Sequence, residues 1–148
     1  MPSRHLSRRR ALQMLYECDA RKIAPEDALR DYYHTLYTEE SEVRPDPDPF
    51  LELLLFGAYQ ELELLDALIT RRSENWKVER MPMVDRNVLR LAAFELLRTD
   101  TPPAVVIDQA IELARRFSGE DSVRFVNGVL DAMRKGDEMG NKTMRATD

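Results

Sequence analysis

Between Met83 and Leu97 the chain reads M-V-D-R-N-V-L-R-L-A-A-F-E-L-L, with few polar positions. At helical pitch Val84, Val88, Leu91 and Ala92 share one face, and Leu89, Ala93, Leu96 and Leu97 cover much of the rest. Arg86, Asn87, Arg90 and Arg98 gather into a compact polar strip. A helix apolar on most sides belongs at the centre of a core, packed by neighbours on several faces. Glu95 interrupts the Val84, Val88 and Leu91 face, where a bare carboxylate is costly. It is expected either to be paired or to reach water at an edge.

The flanking patterns predict further helices and no strands, since apolar and polar residues never alternate for long. A first helix is expected from near Ser7 to about Arg21, with Ala11, Leu12, Leu15 and Cys18 on its buried arc. A second opens at Pro25 with Glu26 and Asp27 in its first turn, where the macrodipole favours acids, and buries Ala28, Leu29, Tyr32, Tyr33 and Leu36. Residues 38–49, T-E-E-S-E-V-R-P-D-P-D-P, are acid-rich and carry three prolines, and read as an exposed, semi-rigid loop. The longest helix is expected over Phe50–Arg72. Leu51, Leu54, Leu55, Ala58, Leu62, Leu65, Leu68 and Ile69 hold one face, and Leu53, Phe56 and Leu64 suggest a second contact side. Such a helix can bridge two bundles. Trp76 reads as a plug between the halves, with base stacking as the alternative. Thr101 is a plausible N-cap for an amphipathic helix over Ala104–Phe117, and Ser118 with Asp121 resembles a capping box opening the last helix. That helix carries the stripe Val123, Val126, Val129, Leu130 and Met133. Beyond Lys135 no apolar period remains, so residues 136–148 are expected to be a disordered tail. The organisation predicted is an N-terminal helical bundle over 1–75 and a C-terminal one over 76–135.

Composition sharpens the all-α expectation. The chain has 148 residues, 43% hydrophobic and 33% charged, with only 5 glycines. Its one cysteine, Cys18, can form neither an internal disulfide nor a thiolate cluster, fits a reducing cytoplasm and reads as buried filler. His5 and His34 match no ligand spacing, and Asp46 and Asp48 lack a third ligand, so neither a metal nor a cofactor is expected. No apolar run reaches membrane-spanning length, and the basic N-terminus lacks the apolar core of a signal peptide. No serine, histidine and acid fall at usable positions, so an enzyme is not predicted.

The net charge of −5 is unevenly spread: residues 1–10 hold Arg4, Arg8, Arg9 and Arg10 and no acid, a charge of +4 that leaves −9 for the remainder. A positive end on an acidic body suggests a local anion-binding foot. Arg9, Gln13 and Tyr16 follow at i, i+4 and i+7 along one edge of the first helix. A cation, an amide and a ring in file can neutralise a phosphate, read a base edge and stack a base. A solvated helix start with a half-buried tyrosine is the plainer alternative. The macrodipole disfavours arginines near a helix start, a local conflict that points towards function. In the last helix Phe125 stands off the apolar stripe, beside Arg124 and on the side of Gly128. That makes it a candidate stacking or partner surface, unless it packs under a neighbouring loop. Gly128 costs about 1 kcal/mol against alanine inside a helix, which raises the suspicion of a close approach by a backbone or ligand.

Four segments together carry a family resemblance: R-R-R-A-L-Q-M-L-Y, V-D-R-N-V-L-R-L-A-A-F-E-L-L, A-I-E-L-A-R-R-F and E-D-S-V-R-F-V-N-G-V-L-D, in order over about Arg8 to Asp131. The chain resembles the NusB transcription antitermination family. The resemblance implies an all-α fold of two perpendicular three-helix bundles, six to seven helices in all. It implies binding of boxA-type RNA of ribosomal RNA leaders together with NusE, a small-subunit ribosomal protein, and loading onto the RNA polymerase antitermination complex. The RNA-facing residues implied are Arg4, Arg8, Arg9, Arg10, Gln13 and Tyr16, then Asp121, Arg124, Phe125 and Asn127. Asp85 and Arg86 would lie at or near the surface shared by RNA and NusE. If the two patches share one face, they form a single-stranded RNA groove. Some relatives self-associate through the same face, so a homodimer is a further implied partner. Two alternatives stay open: a protein-interaction bundle with solvated arginines, and an accessory domain like that of ribosomal RNA cytosine methyltransferases, although the chain holds no nucleotide-binding glycine loop after a strand.

Overall fold

The computed structural model of the chain describes residues 2–40 and 46–136, with the side chains of 36–40 excepted. Part of the acidic proline stretch and the tail from residue 137, both read above from sequence, lie outside the described residues. Among the described residues the fold is all-α: α1 (Arg4–Arg21), α2 (Pro25–Glu40), α3 (Pro49–Gln60), α4 (Leu62–Arg72), α5 (Met83–Arg98), α6 (Pro103–Phe117) and α7 (Glu120–Lys135), with one 3-10 turn at Val78–Arg80. No helix among them is long and apolar enough to cross a membrane.

The chain divides into two compact units, Met1–Gln60 and Glu61–Asp148. The division falls inside the span Phe50–Arg72, where a single long helix was expected. Instead α3 ends at Gln60 and α4 begins at Leu62, with Glu61 as N-cap at φ −106° and ψ 20°. Leu51, Leu54, Leu55 and Ala58 are buried in the first unit, and Leu65, Leu68 and Ile69 in the second. Leu53 and Leu64, read as a second contact side, are exposed.

In the first unit α1 packs on α2 and α3. Helix α1 begins a turn earlier than expected because Ser3 caps it, its hydroxyl accepting from Leu6 N–H at 3.1 Å. Ser7, Arg8, Ala11, Leu12, Met14, Leu15 and Cys18 form its buried side. Burial, with the Glu26 carboxylate adding to it, pushes the Cys18 thiol up to about 11, so it stays an unreactive thiol at neutral pH. Asp48, read as part of an exposed loop, is 2% exposed. It caps α3 by accepting from Leu51 N–H at 3.1 Å, and it also accepts from Ser7 Oγ at 2.6 Å and Arg10 Nη1 at 3.2 Å. Three donors converge on one carboxylate and tie α1 to the start of α3.

In the second unit α5 packs against α4, α6 and α7, the central place its sequence predicts. Ten of its residues are buried, Val88 through Phe94 contributing most of the apolar ones apart from Arg90. Its polar strip is paired within the unit, with Arg98 still exposed to water. Arg90 makes a bidentate pair with Asp66 of α4, at 2.7 and 2.8 Å, while Arg98 binds Glu61 at 2.7 Å. Asn87, wholly buried, donates to Met83 O at 2.9 Å and accepts from Arg90 at 3.0 Å. Glu95 is 3% exposed and interacts with other groups of the chain; no buried side-chain nitrogen or oxygen among the described residues lacks a hydrogen-bond partner. The paired alternative therefore holds, and not the edge position.

The expected caps of the last two helices differ. Pro102, not Thr101, precedes α6, and Thr101 N–H bonds Thr99 Oγ1 at 3.3 Å. Gly119 precedes α7 at φ 149°, a conformation that favours glycine, and no side chain caps that end. Ser118 Oγ lies 2.6 Å from Ser122 Oγ and donates to Asp85 at 3.3 Å, while Asp121 pairs with Arg124 instead of closing a capping box.

Candidate nucleic-acid interface

The two sets of residues singled out in the sequence lie one in each unit. In the first, helix geometry sorts the four arginines. Arg8 sits at i, i+4, i+7 with Leu12 and Leu15, so it falls on the apolar side and is only 7% exposed. Its guanidinium lies 5.2 Å from the centre of the Phe50 ring. Arg4 is exposed and stands 4.2 Å over the same ring, a cation–π contact that holds it at the helix start. Arg10 is committed to Asp48 and donates from Nε to Tyr32 Oη at 3.0 Å. Arg9, Gln13 and Tyr16, one position round from the buried file, are half-buried, exposed and half-buried. The N-terminal arginines are thus not equivalent: Arg8 and Arg10 are built into the fold, while Arg4, Arg9, Gln13 and Tyr16 present polar or aromatic groups to solvent. The burial of Arg8 was legible, since its spacing to Leu12 and Leu15 is the spacing of the core. The commitment of Arg10 was not, since Asp48 lies 38 positions away. Gln13 also lines a cleft of about 400 Å³ between α1 and α2, which Arg21 partly closes through Glu17 and Asp31.

In the second unit Phe125 is half-buried off the apolar stripe of α7, as its position predicts. It packs against the neighbouring loop between α4 and the 3-10 turn, the alternative its position left open. Its ring meets that of Trp76 edge to face, 5.0 Å between centroids and 69° between planes. Trp76 is 42% exposed, so it is not the plug its composition suggests. Arg124 and Asp121, both exposed, pair with each other one turn apart, and Asn127 is exposed beside them. Asp85, the residue expected at the partner surface, is 4% exposed and holds Ser118 at the turn before α7, so its carboxylate serves the packing of α5 on that turn. Arg86 is half-buried and reaches Glu79 O at 3.4 Å.

Gly128 is exposed, and a Cβ built there meets nothing within 4 Å. Among the described residues nothing approaches it, so they give the helix no internal packing reason for the glycine. Gly128→Ala is expected to raise stability by about 1 kcal/mol, read as a higher midpoint in urea unfolding. A lower midpoint would mean that the glycine serves the fold after all.

The surface that combines Arg124, Phe125, Trp76 and a bare Gly128 can stack a flat ring and meet an anion. The face with Arg9, Gln13 and Tyr16 offers the same chemistry with an amide added: a cation for phosphate, an amide for a base edge and a ring for stacking. Among the described residues no three His, Cys, Asp or Glu side chains are grouped so as to hold a metal ion.

Three comparisons relate the whole chain to known proteins. The model of the NusB family matches residues 5–135. A protein of Solibacter usitatus named transcription antitermination protein NusB is 54% identical over 135 residues, which cover 91% of this chain and 90% of that one. The structure of Thermotoga maritima NusB superposes with a TM-score of 0.80 at 33% identity, covering 97% of this chain and 98% of that one. A crystal structure of the antitermination factors NusB and NusE in complex with double-stranded RNA matches with a TM-score of 0.75 at 27% identity, over 89% of this chain and 96% of that one.

Proposed function

The chain belongs to the NusB family, and on that premise we propose that it is a transcription antitermination factor which binds boxA-type RNA of ribosomal RNA leaders together with NusE. The observation that carries the reading is the 54% identity, over nearly the whole chain, to a protein named for that role. The geometry supports it independently. Each unit presents an exposed or half-exposed cation and aromatic ring, joined in the first by the Gln13 amide, groups suited to single-stranded RNA.

In this reading Arg4 and Arg9 meet phosphates, Tyr16 and Phe125 stack on bases, and Gln13 and Asn127 contact base edges. Arg8 and Arg10 act from beneath: they hold α1 against Phe50 and Asp48 and so fix where Arg9 and Gln13 point. Asp121 orients Arg124 through their pair and disfavours phosphates that approach out of register. Arg86 borders the NusE surface, and Asp85 shapes that surface by holding the turn before α7. The protein works in the cytoplasm by binding and not by catalysis, delivering RNA and NusE to the RNA polymerase complex.

Salt dependence tests this reading. Affinity for a boxA oligonucleotide in the presence of NusE should fall steeply with salt, and Arg9→Ala should flatten the log–log slope by about 0.7, the share of one phosphate on a single strand. Equal affinity for scrambled RNA would reduce the interaction to generic electrostatics. Absence of RNA binding even with NusE would leave a protein-interaction bundle.

A further inference from the structure

Trp76 is the only tryptophan of the chain, and burying an indole is among the larger gains open to a core. Here nearly half of it is left in water. The backbone leading to it is strained as well: Glu74 at φ 58° and Asn75 at φ 67° are consecutive left-handed residues, and neither is glycine. Asparagine tolerates that region; glutamate does so poorly. The turn is nevertheless fixed, with Asn75 N–H on Thr70 O at 2.9 Å and Ser73 Oγ 3.1 Å from the carbonyls of both Thr70 and Trp76. An uncomfortable turn is thus held in place, and its result is an indole standing at the surface against Phe125.

The surroundings say what would cover it. Residues 71–80 hold Arg71, Arg72, Lys77 and Arg80 against Glu74 and Glu79, a positive segment in a chain of net charge −5. Lys77 and Arg80 are exposed. Two rings at 69° form a corner: a flat group stacked on one ring places its edge against the other. Cations beside that corner suit a ligand that is both planar and anionic along its chain. We infer that Trp76 is a second stacking residue, which with Phe125 makes a two-ring corner for one unpaired nucleobase of the bound RNA. The inference rests on the RNA-binding reading above and adds to it a residue and a site for a single flipped base.

Because Trp76 is the sole tryptophan, its emission reports on its own site. The experiment titrates the full chain, with NusE, against a single-stranded boxA oligonucleotide, following tryptophan emission and the anisotropy of an end-labelled strand in parallel. A series of strands with one abasic position each is titrated as well. Binding should quench Trp76, and one abasic position should abolish the quench while removing no phosphate. Trp76→Leu, which keeps apolar bulk beside Phe125, should weaken binding roughly tenfold, whereas Trp76→Tyr, which keeps a ring, should stay within about threefold of the parent. Melting curves of both variants verify that the fold is retained. Tight binding by anisotropy with unchanged emission, or with Trp76→Leu at parental affinity, would overturn this inference alone. Quenching by NusE in the absence of RNA, with none added by RNA, would assign the corner to a protein partner and overturn it too. No RNA binding at all by the parent protein would overturn the underlying reading together with it.

Discussion

Asp48→Ala is expected to destabilise the protein by about 3–5 kcal/mol, the range for removing one partner of a buried, hydrogen-bonded charge pair. Three groups donate to that carboxylate: the Ser7 hydroxyl at 2.6 Å, which also lies 3.1 Å from Ser3 O, the Arg10 guanidinium at 3.2 Å and the Leu51 N–H at 3.1 Å. Ser7 and Asp48 are almost wholly buried, so water cannot easily replace what is lost. Among the described residues Arg10 would keep its bond to Tyr32 Oη and its position 5.7 Å from that ring. Part of the loss, about 1 kcal/mol, is the missing cap of α3. Asp48→Asn retains an acceptor for Leu51 and Ser7 but not the charge, and its effect should fall between the two. Urea unfolding of the three proteins checks the order. A loss below about 1 kcal/mol for the alanine variant would show that the three donors find other acceptors.

The second large effect concerns binding. Phe125→Ala should lower affinity for boxA RNA by roughly ten- to hundredfold, since one stacked base contributes about 1–3 kcal/mol. Its effect on stability should be much smaller, about 1 kcal/mol, because the ring is half-buried and its main aromatic contact is a single edge-to-face pair with Trp76. Phe125→Tyr keeps the stacking face and should bind nearly as the parent does. Anisotropy titrations with parallel thermal melts separate the two quantities. A variant that melts early but binds RNA normally would make Phe125 a packing residue.

Much of this architecture was legible from periodicity. The all-helical class, the central position of α5 and the buried stripe of α7 follow from apolar residues recurring at helical spacing. The interruption at Glu61 did not show, because the apolar period runs unbroken from Leu51 to Ile69 while its two halves are buried in different units. Long-range polar partners were equally silent. Ser7 and Asp48 stand 41 positions apart, and Asp85 and Ser118 stand 33 apart, so no local pattern links them. Asp48 looked like one more acid in a proline-rich loop, and Asp85 like a residue of the surface shared by RNA and NusE; tertiary structure made both internal acceptors.

The candidate site divides in the same way. Phe125 was visible because it breaks a stripe, and Arg9, Gln13 and Tyr16 because they keep a file beside one. Trp76 was misread because hydrophobicity alone assigns an indole to the interior, whereas the left-handed pair Glu74 and Asn75 delivers it to the surface. That backbone conformation leaves little trace in the sequence beyond an asparagine at one of its two positions.

The most direct test of the central claim, that each unit contributes its own RNA-contacting patch, is photo-crosslinking. One boxA oligonucleotide carrying photoreactive bases is bound with NusE and irradiated, and the attached peptides are sequenced. Adducts are expected in both Arg9–Tyr16 and Arg124–Asn127, each suppressed by excess unlabelled boxA RNA. Crosslinks confined to NusE, or to surfaces of this chain outside both segments, would contradict that claim.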